Sequence, residues 1–160
     1  MQIRKAYKSD FENILPMLKE VFDKGDTYVF TENLSRKEIY DIWMKHTQSV
    51  FVAIEDGKML GTYYIKPNQP GRGSHVCNAG YIVSSEARGK GLGKEMCLHS
   101  IEEAKKLGYK AMQYNIVVST NEGAIKVWKN CGFAIVGTLP KVFNHKELGY
   151  IDAYVMFKEL

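Results

Sequence analysis

The residues from Arg88 to Lys94 combine alternating glycines with cations, a pattern suited to holding a phosphate group. The segment reads Arg-Gly-Lys-Gly-Leu-Gly-Lys, follows the apolar run from Tyr81 to Val83, and precedes an amphipathic stretch. This order predicts a strand, a tight turn and the start of a helix. Alternating glycines let backbone N–H groups point into one concavity, and a helix N-terminus adds partial positive charge. We therefore expect a pyrophosphate-binding turn, with a glycine-rich surface turn that only caps a helix as the alternative.

The spacing of these glycines excludes two familiar phosphate-binding motifs. A Walker P-loop requires a glycine five residues before Gly93, where this chain has Arg88, and a serine or threonine after the lysine, where it has glutamate. A Rossmann fingerprint that begins at Gly89 requires a glycine at the position of Lys94. The pattern that remains is Arg-x-x-Gly-x-Gly, formed by Arg88, Gly91 and Gly93.

The composition is that of an ordinary globular protein. The 160 residues are 45% hydrophobic and 25% charged, with a net charge of +4, which predicts one domain over residues 1–160. The charges are interspersed, so the sequence admits an acidic ligand but indicates no nucleic-acid partner. No apolar run approaches the roughly 20 residues of a membrane span. Three widely spaced cysteines and the absence of an apolar leader favour a cytoplasmic protein.

Hydrophobic periodicity and turn signals predict the order β-α-α-β-β-β-α-β-α-β-β, an α/β fold with one mixed sheet and helices on both faces. Gly80 inside the fourth strand indicates a bulge or a close backbone approach. A long loop is expected from Thr138 to Tyr150. The strands are predicted at 2–6, 50–54, 59–66, 75–83, 111–118, 133–137 and 151–157, and the helices begin near positions 11, 35, 91 and 121.

This order and four local patterns resemble the GNAT superfamily of N-acetyltransferases. The patterns are the first strand and helix entry (Ile3 to Asp10), the hairpin around Asp56-Gly57, the Arg-x-x-Gly-x-Gly turn, and the block from Asn121 to Phe133. The resemblance implies the GNAT fold, an α/β fold with a single mixed, mostly antiparallel central sheet flanked by helices on both faces. It also implies acetyl-CoA as cosubstrate, with no metal. Members of this fold also suggest a homodimer formed through the C-terminal strands.

The same resemblance implies the residues that hold acetyl-CoA. The backbone of the turn would bind the pyrophosphate, and the end of the preceding strand would run beside the pantetheine arm as an added strand. The N–H group of Val83 would then stabilise the oxyanion. The expected cofactor-binding residues are Ile82, Val83, Arg88, Gly89, Lys90, Gly91, Leu92, Gly93, Lys94, Asn121, Ala124 and Trp128.

The acid and the base that the family often uses are replaced in this chain. Trp128 stands where the family places a tyrosine, and an indole N–H is not a useful acid. Asn78 stands where relatives similar to phosphinothricin acetyltransferase carry a glutamate, so it is expected to orient substrate or water, or to be a hydrogen-bonded core amide. His75 and His145 are the histidines considered for a base, with a water relay as the alternative.

The acceptor is expected to be a small-molecule amine, an amino acid or related metabolite. The run Asn115 to Val118 and the segment Gly149 to Ala153 look like small-molecule N-acetyltransferases, including those that act on proline analogues such as azetidine-2-carboxylate. The alternatives are a protein or peptide N-acetyltransferase and a non-catalytic CoA-binding module. The residues expected to line the acceptor site are Tyr28, Phe30, Tyr64 and Asn115.

Overall fold

The computed structural model describes all 160 residues and confirms the predicted order of strands and helices. Three short 3-10 turns accompany these elements, and the second helix continues into a π-helical turn, Asp41–Lys45. The strands are β1 Gln2–Lys5, β2 Ser49–Glu55, β3 Lys58–Pro67, β4 Val76–Val83, β5 Ala111–Val118, β6 Ala134–His145 and β7 Gly149–Glu159, and the helices are α1 Phe11–Lys24, α2 Arg36–Tyr40, α3 Leu92–Lys106 and α4 Glu122–Asn130.

The seven strands form one sheet in the order β1-β2-β3-β4-β5-β7-β6. Every neighbouring pair is antiparallel except β4 and β5, which run parallel. A parallel pair cannot be joined by a tight hairpin, and here α3 makes the crossover. The prediction of a mixed, mostly antiparallel sheet is therefore correct.

The helices cover both faces of the sheet, as predicted. Helices α1 and α2 pack on one face, where Phe11, Leu18 and Trp43 are buried against β2, β3 and β4. Helices α3 and α4 pack on the other face, and the larger core cluster lies beneath them. We call these the α1 face and the α3 face. Because side chains alternate along a strand, neighbouring Tyr63 and Tyr64 belong to the α3-face and α1-face clusters respectively.

Local sequence signals explain several element ends. Ser35 Oγ accepts a hydrogen bond from the N–H of Glu38, and the Glu38 carboxylate accepts one from the N–H of Ser35, which completes a capping box at the start of α2. Gly80 makes the close approach that its position predicted, because a Cβ there would lie 2.6 Å from the Tyr64 ring. The β3–β4 register is continuous at Gly80, so the alternative of a bulge is wrong.

The long loop predicted from Thr138 to Tyr150 is wrong. Strand β6 continues to His145, and a short turn connects it to β7 at Gly149. Pro140 interrupts the hydrogen-bond ladder between the two strands because proline has no N–H to donate. Lys141 has a φ of 50°, and its N–H donates to the Asp152 carboxylate, 2.9 Å away. The pairing shifts register between Leu139 and Phe143, so the hairpin resumes beyond an irregularity that reads as loop in the sequence.

Candidate functional site

Strands β4 and β5 separate from each other and leave a gap in the sheet. They pair only at Val76 with Ala111 and at Cys77 with Met112. Beyond this point β4 stays paired with β3 as far as Val83, while β5 stays on β7. We call the resulting gap, between residues 78–83 of β4 and 113–118 of β5, the wedge. Its closed end lies at the start of both strands and its open end lies beside the turn before α3.

Alternation along β4 decides which backbone groups face the wedge. The N–H of Ser84 donates to the carbonyl of Leu60 on the β3 side, 2.8 Å away. In an antiparallel pair every second residue forms the hydrogen-bonded pair, so Ile82 also points its backbone towards β3. Tyr81 and Val83 therefore direct their N–H and carbonyl groups into the wedge. Of the two expected pantetheine contacts, the structure places the Val83 backbone in the wedge and that of Ile82 against β3.

Asn78 spans the closed end of the wedge. Its Nδ2 donates to the carbonyl of Gln113 on β5 (3.0 Å), and its Oδ1 accepts from the Tyr64 hydroxyl (3.3 Å). The side chain is buried and links the separating strands. This arrangement corresponds to the expected core amide, and it also holds Tyr64 at the edge of the wedge.

The turn before α3 presents a set of unpaired amides. Gly89 and Gly91 adopt φ values of 76° and 83°, which favour glycine, and no atom would approach a Cβ at either position. The N–H groups of residues 88, 89 and 91–94 donate to no acceptor in the protein. The side chains of Arg88, Lys90 and Lys94 form no ion pair and their residues are exposed, whereas Leu92 is buried in the α3-face core. The turn is therefore a concave group of free donors at the positive end of a 15-residue helix.

Helix α4 contributes Asn121, Ala124 and Trp128 near the wedge on the α3 face. Asn121 Oδ1 accepts from the N–H of Ala124 (3.3 Å), as an N-cap does, while its Nδ2 has no protein partner. Trp128 packs against Tyr81 and Tyr114, with ring centroids 4.8 and 5.1 Å away. The capping role leaves the amide nitrogen of Asn121 available to a ligand.

Sequence reasoning missed the two tyrosines beneath Trp128. The Tyr81 hydroxyl lies 2.9 Å from that of Tyr114 and 2.6 Å from Ser100 Oγ. Burial raises the pKa of both tyrosines well above the ordinary value, so both phenols stay protonated. Both tyrosines lie on the strands that border the wedge, and strand alternation places their rings on the α3 face. That alternation was the signal that could have found them.

On the α1 face, Tyr28 and Tyr64 reach the wedge. The Tyr28 hydroxyl donates to the carbonyl of Tyr81 at 2.9 Å. Burial, and then the proximity of Tyr64, raises the pKa of Tyr28 well above the ordinary value, so this hydroxyl remains a donor and does not act as a base. Phe30 lies one layer behind, against Phe22 at a centroid distance of 5.1 Å.

Asn115 occupies the opposite, β5 side of the wedge. Its side-chain nitrogen donates to Asn68 Oδ1 (2.7 Å), and its Oδ1 accepts from Gln113 Nε2 (2.9 Å). These contacts tie β5 to the loop after β3. The residue is exposed at the surface of the α1 face.

None of the four histidines is placed as a base at the wedge. His75 is exposed at the closed end, beside the start of β5, where its carbonyl accepts from Lys110 N–H. His145 Nδ1 accepts from the N–H groups of Glu147 and Leu148, both at 3.1 Å, so its proton lies on Nε2. His99 Nδ1 lies 2.6 Å from the Tyr63 hydroxyl under α3, and His46 is exposed after the π-helical turn.

Two further features describe the whole molecule. No group of three or more His, Cys, Asp or Glu side chains is arranged to hold a metal ion. None of the helices has both the length and the apolar character needed to cross a bilayer.

Comparison with known proteins identifies the family. Residues 7–133 match the family model described as Acetyltransferase (GNAT) family. The chain is similar to N-acetyltransferase aca1 of Schizosaccharomyces pombe, with 33% identity covering 83% of this chain and 72% of that protein. It is also similar to L-amino acid N-acetyltransferase AaaT of Escherichia coli, with 34% identity covering 66% of this chain and 64% of that protein.

Solved structures agree with this assignment. A GCN5-related N-acetyltransferase from Kribbella flavida superposes with a TM-score of 0.94 and 37% identity, covering 99% of this chain and 97% of that chain. The yncA protein from Salmonella typhimurium, solved with its cofactor acetyl-CoA, shares the fold with a TM-score of 0.87 and 22% identity, covering 100% of this chain and 94% of that chain. The chain therefore belongs to the GNAT family of acetyltransferases.

Proposed function

We propose that this acetyltransferase moves the acetyl group of acetyl-CoA to the amine of a small molecule, an amino acid or related metabolite, by direct attack. The amine nitrogen forms a bond to the acetyl carbon while the carbon–sulfur bond of the thioester breaks. The amine proton leaves to water, and the sulfur departs as thiolate. The N–H of Val83, which faces the wedge, donates to the oxygen that becomes negative, and losing such a donor costs about 3 kcal/mol of transition-state stabilisation.

The turn and the wedge divide the work of holding acetyl-CoA. The free amides of residues 88, 89 and 91–94 and the positive end of α3 attract the pyrophosphate. The wedge-facing carbonyl of Val83 accepts a strand-like hydrogen bond from a pantetheine amide, and Asn121 Nδ2 supplies a donor from the side of α4. Trp128 forms an apolar wall over Tyr81. Binding of the whole cofactor therefore requires both the glycines of the turn, for the pyrophosphate, and the separation of β4 from β5, for the pantetheine arm.

Proton transfer in this proposal does not depend on a side-chain base or acid. Asn78 cannot take a proton, and the imidazoles lie elsewhere or are engaged. Water that reaches the wedge accepts the amine proton. A thiol with an ordinary pKa of about 8.5 leaves tolerably as thiolate near neutral pH. We therefore expect activity to rise with pH as the acceptor amine loses its proton.

One observation carries the assignment to a small acceptor: the tip of the β6–β7 hairpin crosses the α1 face to reach the end of α1. Lys146 N–H donates to the carbonyl of Gly25 (3.0 Å), and Lys146 Nζ donates to the carbonyl of Asp23 (2.8 Å). The contact is close, since a Cβ on Gly25 would lie 2.9 Å from Lys146 Cβ. The hairpin starts from the β5 side of the wedge, so we expect this contact to cover the acceptor side. A covered acceptor site favours a small molecule over a peptide, which needs an open groove.

An acceptor screen with detection of free CoA thiol tests the proposal. The panel pairs free amino acids with peptides that begin with the same residue, and adds polyamines. We expect at least tenfold higher kcat/KM for a free amino acid than for the matching peptide. Equal or faster turnover of peptides would contradict the small-molecule assignment. The Lys146→Ala variant removes the side-chain bond to Asp23 and is expected to reduce the ratio of kcat/KM for free amino acids over peptides.

A further inference from the structure

Lys66 is a half-buried cation without a counterion. Its Nζ lies 5.4 Å from the centroid of the Tyr64 ring, and it forms no ion pair and no hydrogen bond. Lys37, Lys105 and Lys106, in contrast, each pair with a carboxylate within 3.0 Å. Partial removal of an ammonium from water is costly unless a compensating group approaches it. The aromatic face supplies part of that compensation, and no acceptor of the protein supplies the rest.

The register of the sheet places this cation beside the wedge on the α1 face. Lys66 is opposite Asn78, and Tyr64 is opposite Gly80, in the β3–β4 pairing. The Tyr64 ring lies over Gly80, because a Cβ at that position would be 2.6 Å from the ring. The ammonium that lies against the ring is therefore near the middle of β4, on the side where the acceptor is expected.

The polar groups around the wedge on this face are uncharged carboxamides. The Asn78 side chain donates to the main-chain carbonyl of Gln113, the Gln113 side chain donates to Asn115, and the Asn115 side chain donates to Asn68. No carboxylate takes part in this chain of hydrogen bonds. The positive charge of Lys66 is consequently not neutralised by the protein, and amide N–H groups nearby add donors. Donors with a single positive charge suit a carboxylate.

We infer that Lys66 binds the carboxylate of the acceptor, so that the substrate class is amino acids with a free carboxylate and an amine close to it. This inference rests on the proposed function. Gly80, over which the Tyr64 ring lies, and Val83 are three positions apart on β4, which is about 10 Å at 3.3 Å per residue. Contacts of about 3 Å, from the carboxylate to Lys66 at one end and from the amine to the acetyl group at the other, leave a length that one small amino acid spans. The amine then points to the acetyl group held at Val83 while the carboxylate stays at Lys66.

The test compares each amino acid with its own carboxamide in the wild type and in Lys66→Met. Methionine keeps an apolar stem over Tyr64 and removes the charge. We expect the ratio of kcat/KM for acid over amide to fall by about tenfold to a hundredfold in Lys66→Met, as for the loss of a hydrogen bond to a charged group. The ratio between variants cancels the different amine pKa values of the acid and the amide. The Lys66→Arg variant should restore most of the preference.

The controls separate this inference from the proposal beneath it. Lys110→Met removes the same charge at the closed end of the sheet and should leave the acid-to-amide ratio unchanged. An unchanged ratio in Lys66→Met, with wild-type turnover of small amines intact, would overturn the role of Lys66 alone. Thiol release with peptides but with none of the small amines would overturn the proposed function itself. To verify that each variant is folded, the rise in melting temperature on adding acetyl-CoA is measured and should equal that of the wild type.

Discussion

Gly93 is a position where a small side chain should stabilise the protein and a larger one should weaken the binding of acetyl-CoA. It lies in the first turn of α3 with an ordinary helical backbone, and a Cβ built there would meet only Val83 Cγ2, at 3.9 Å. That distance is a normal van der Waals contact, so the fold itself does not require glycine at this position. Glycine inside a helix is about 1 kcal/mol less favourable than alanine. The substitution Gly93→Ala should therefore stabilise the protein without ligand.

The magnitude follows from the position in the helix. In the first turn only part of the helical benefit applies, so we expect a gain of about 0.5–1 kcal/mol, or a melting temperature higher by about 1–4 °C for a protein of this size. The same Cβ points towards the end of β4, between the turn and Val83. A larger side chain, in Gly93→Leu, would occupy the space through which the pantetheine arm passes. We expect the Kd for acetyl-CoA to rise at least tenfold, which corresponds to about 1.4 kcal/mol.

Thermal unfolding without ligand and calorimetric titration with acetyl-CoA measure the two effects. Gly91→Ala is the matched comparison, because its φ of 83° penalises any side chain by about 1–2 kcal/mol, so this variant should be less stable. A Gly93→Leu protein that is folded and binds acetyl-CoA with wild-type affinity would refute the placement of the cofactor at this turn.

Two further predictions concern the frame around the site. Gly80→Ala should lower stability by about 1–3 kcal/mol in urea unfolding, because the new Cβ collides with the Tyr64 ring, whereas Gly137→Ala, a strand position with open space, should change it by less than about 0.5 kcal/mol; equal effects would contradict the close approach. Asp10→Asn should cost about 1–3 kcal/mol at pH 7, because the Arg4 guanidinium holds the pKa of this carboxyl below its ordinary value. The stability that ionised Asp10 contributes is present above the pKa of the unfolded state and is lost as pH falls through the pKa of the folded state. The difference in stability between wild type and Asp10→Asn should therefore shrink below about pH 4, and a constant difference down to pH 2 would contradict the pairing.

The sequence contained enough local information for the order of elements and for the turn. Positive φ at Gly89 and Gly91, the Asn121 cap and the alternation of Tyr63 and Tyr64 all follow from rules that act within a few residues. The prediction of a loop in place of the β6–β7 hairpin failed for a local reason as well. Pro140 and Lys141 break the alternation, and only the pairing with β7 restores the strand beyond them.

Contacts between distant segments account for what could not be predicted. Tyr28 donates to the Tyr81 carbonyl across 53 residues, and Asn78 reaches Gln113 across 35. Neither contact leaves a pattern in the neighbouring sequence, because each depends on where β4 and β5 separate. Lys66 could be predicted in part from the sequence. Alternation places it on the same face as Tyr64, but the absence of a counterion is visible only once the surrounding carboxamides are in place.

The most direct test of acetyl-CoA binding in the wedge is the amide exchange of adjacent residues on β4. By the alternation of the β3–β4 pairing, the Val83 N–H faces the wedge, and the Ile82 N–H is bonded to β3. Hydrogen exchange followed by NMR should show that saturating acetyl-CoA slows the Val83 amide strongly, while the Ile82 amide, already protected, changes little. An unchanged Val83 amide at saturation would contradict the account.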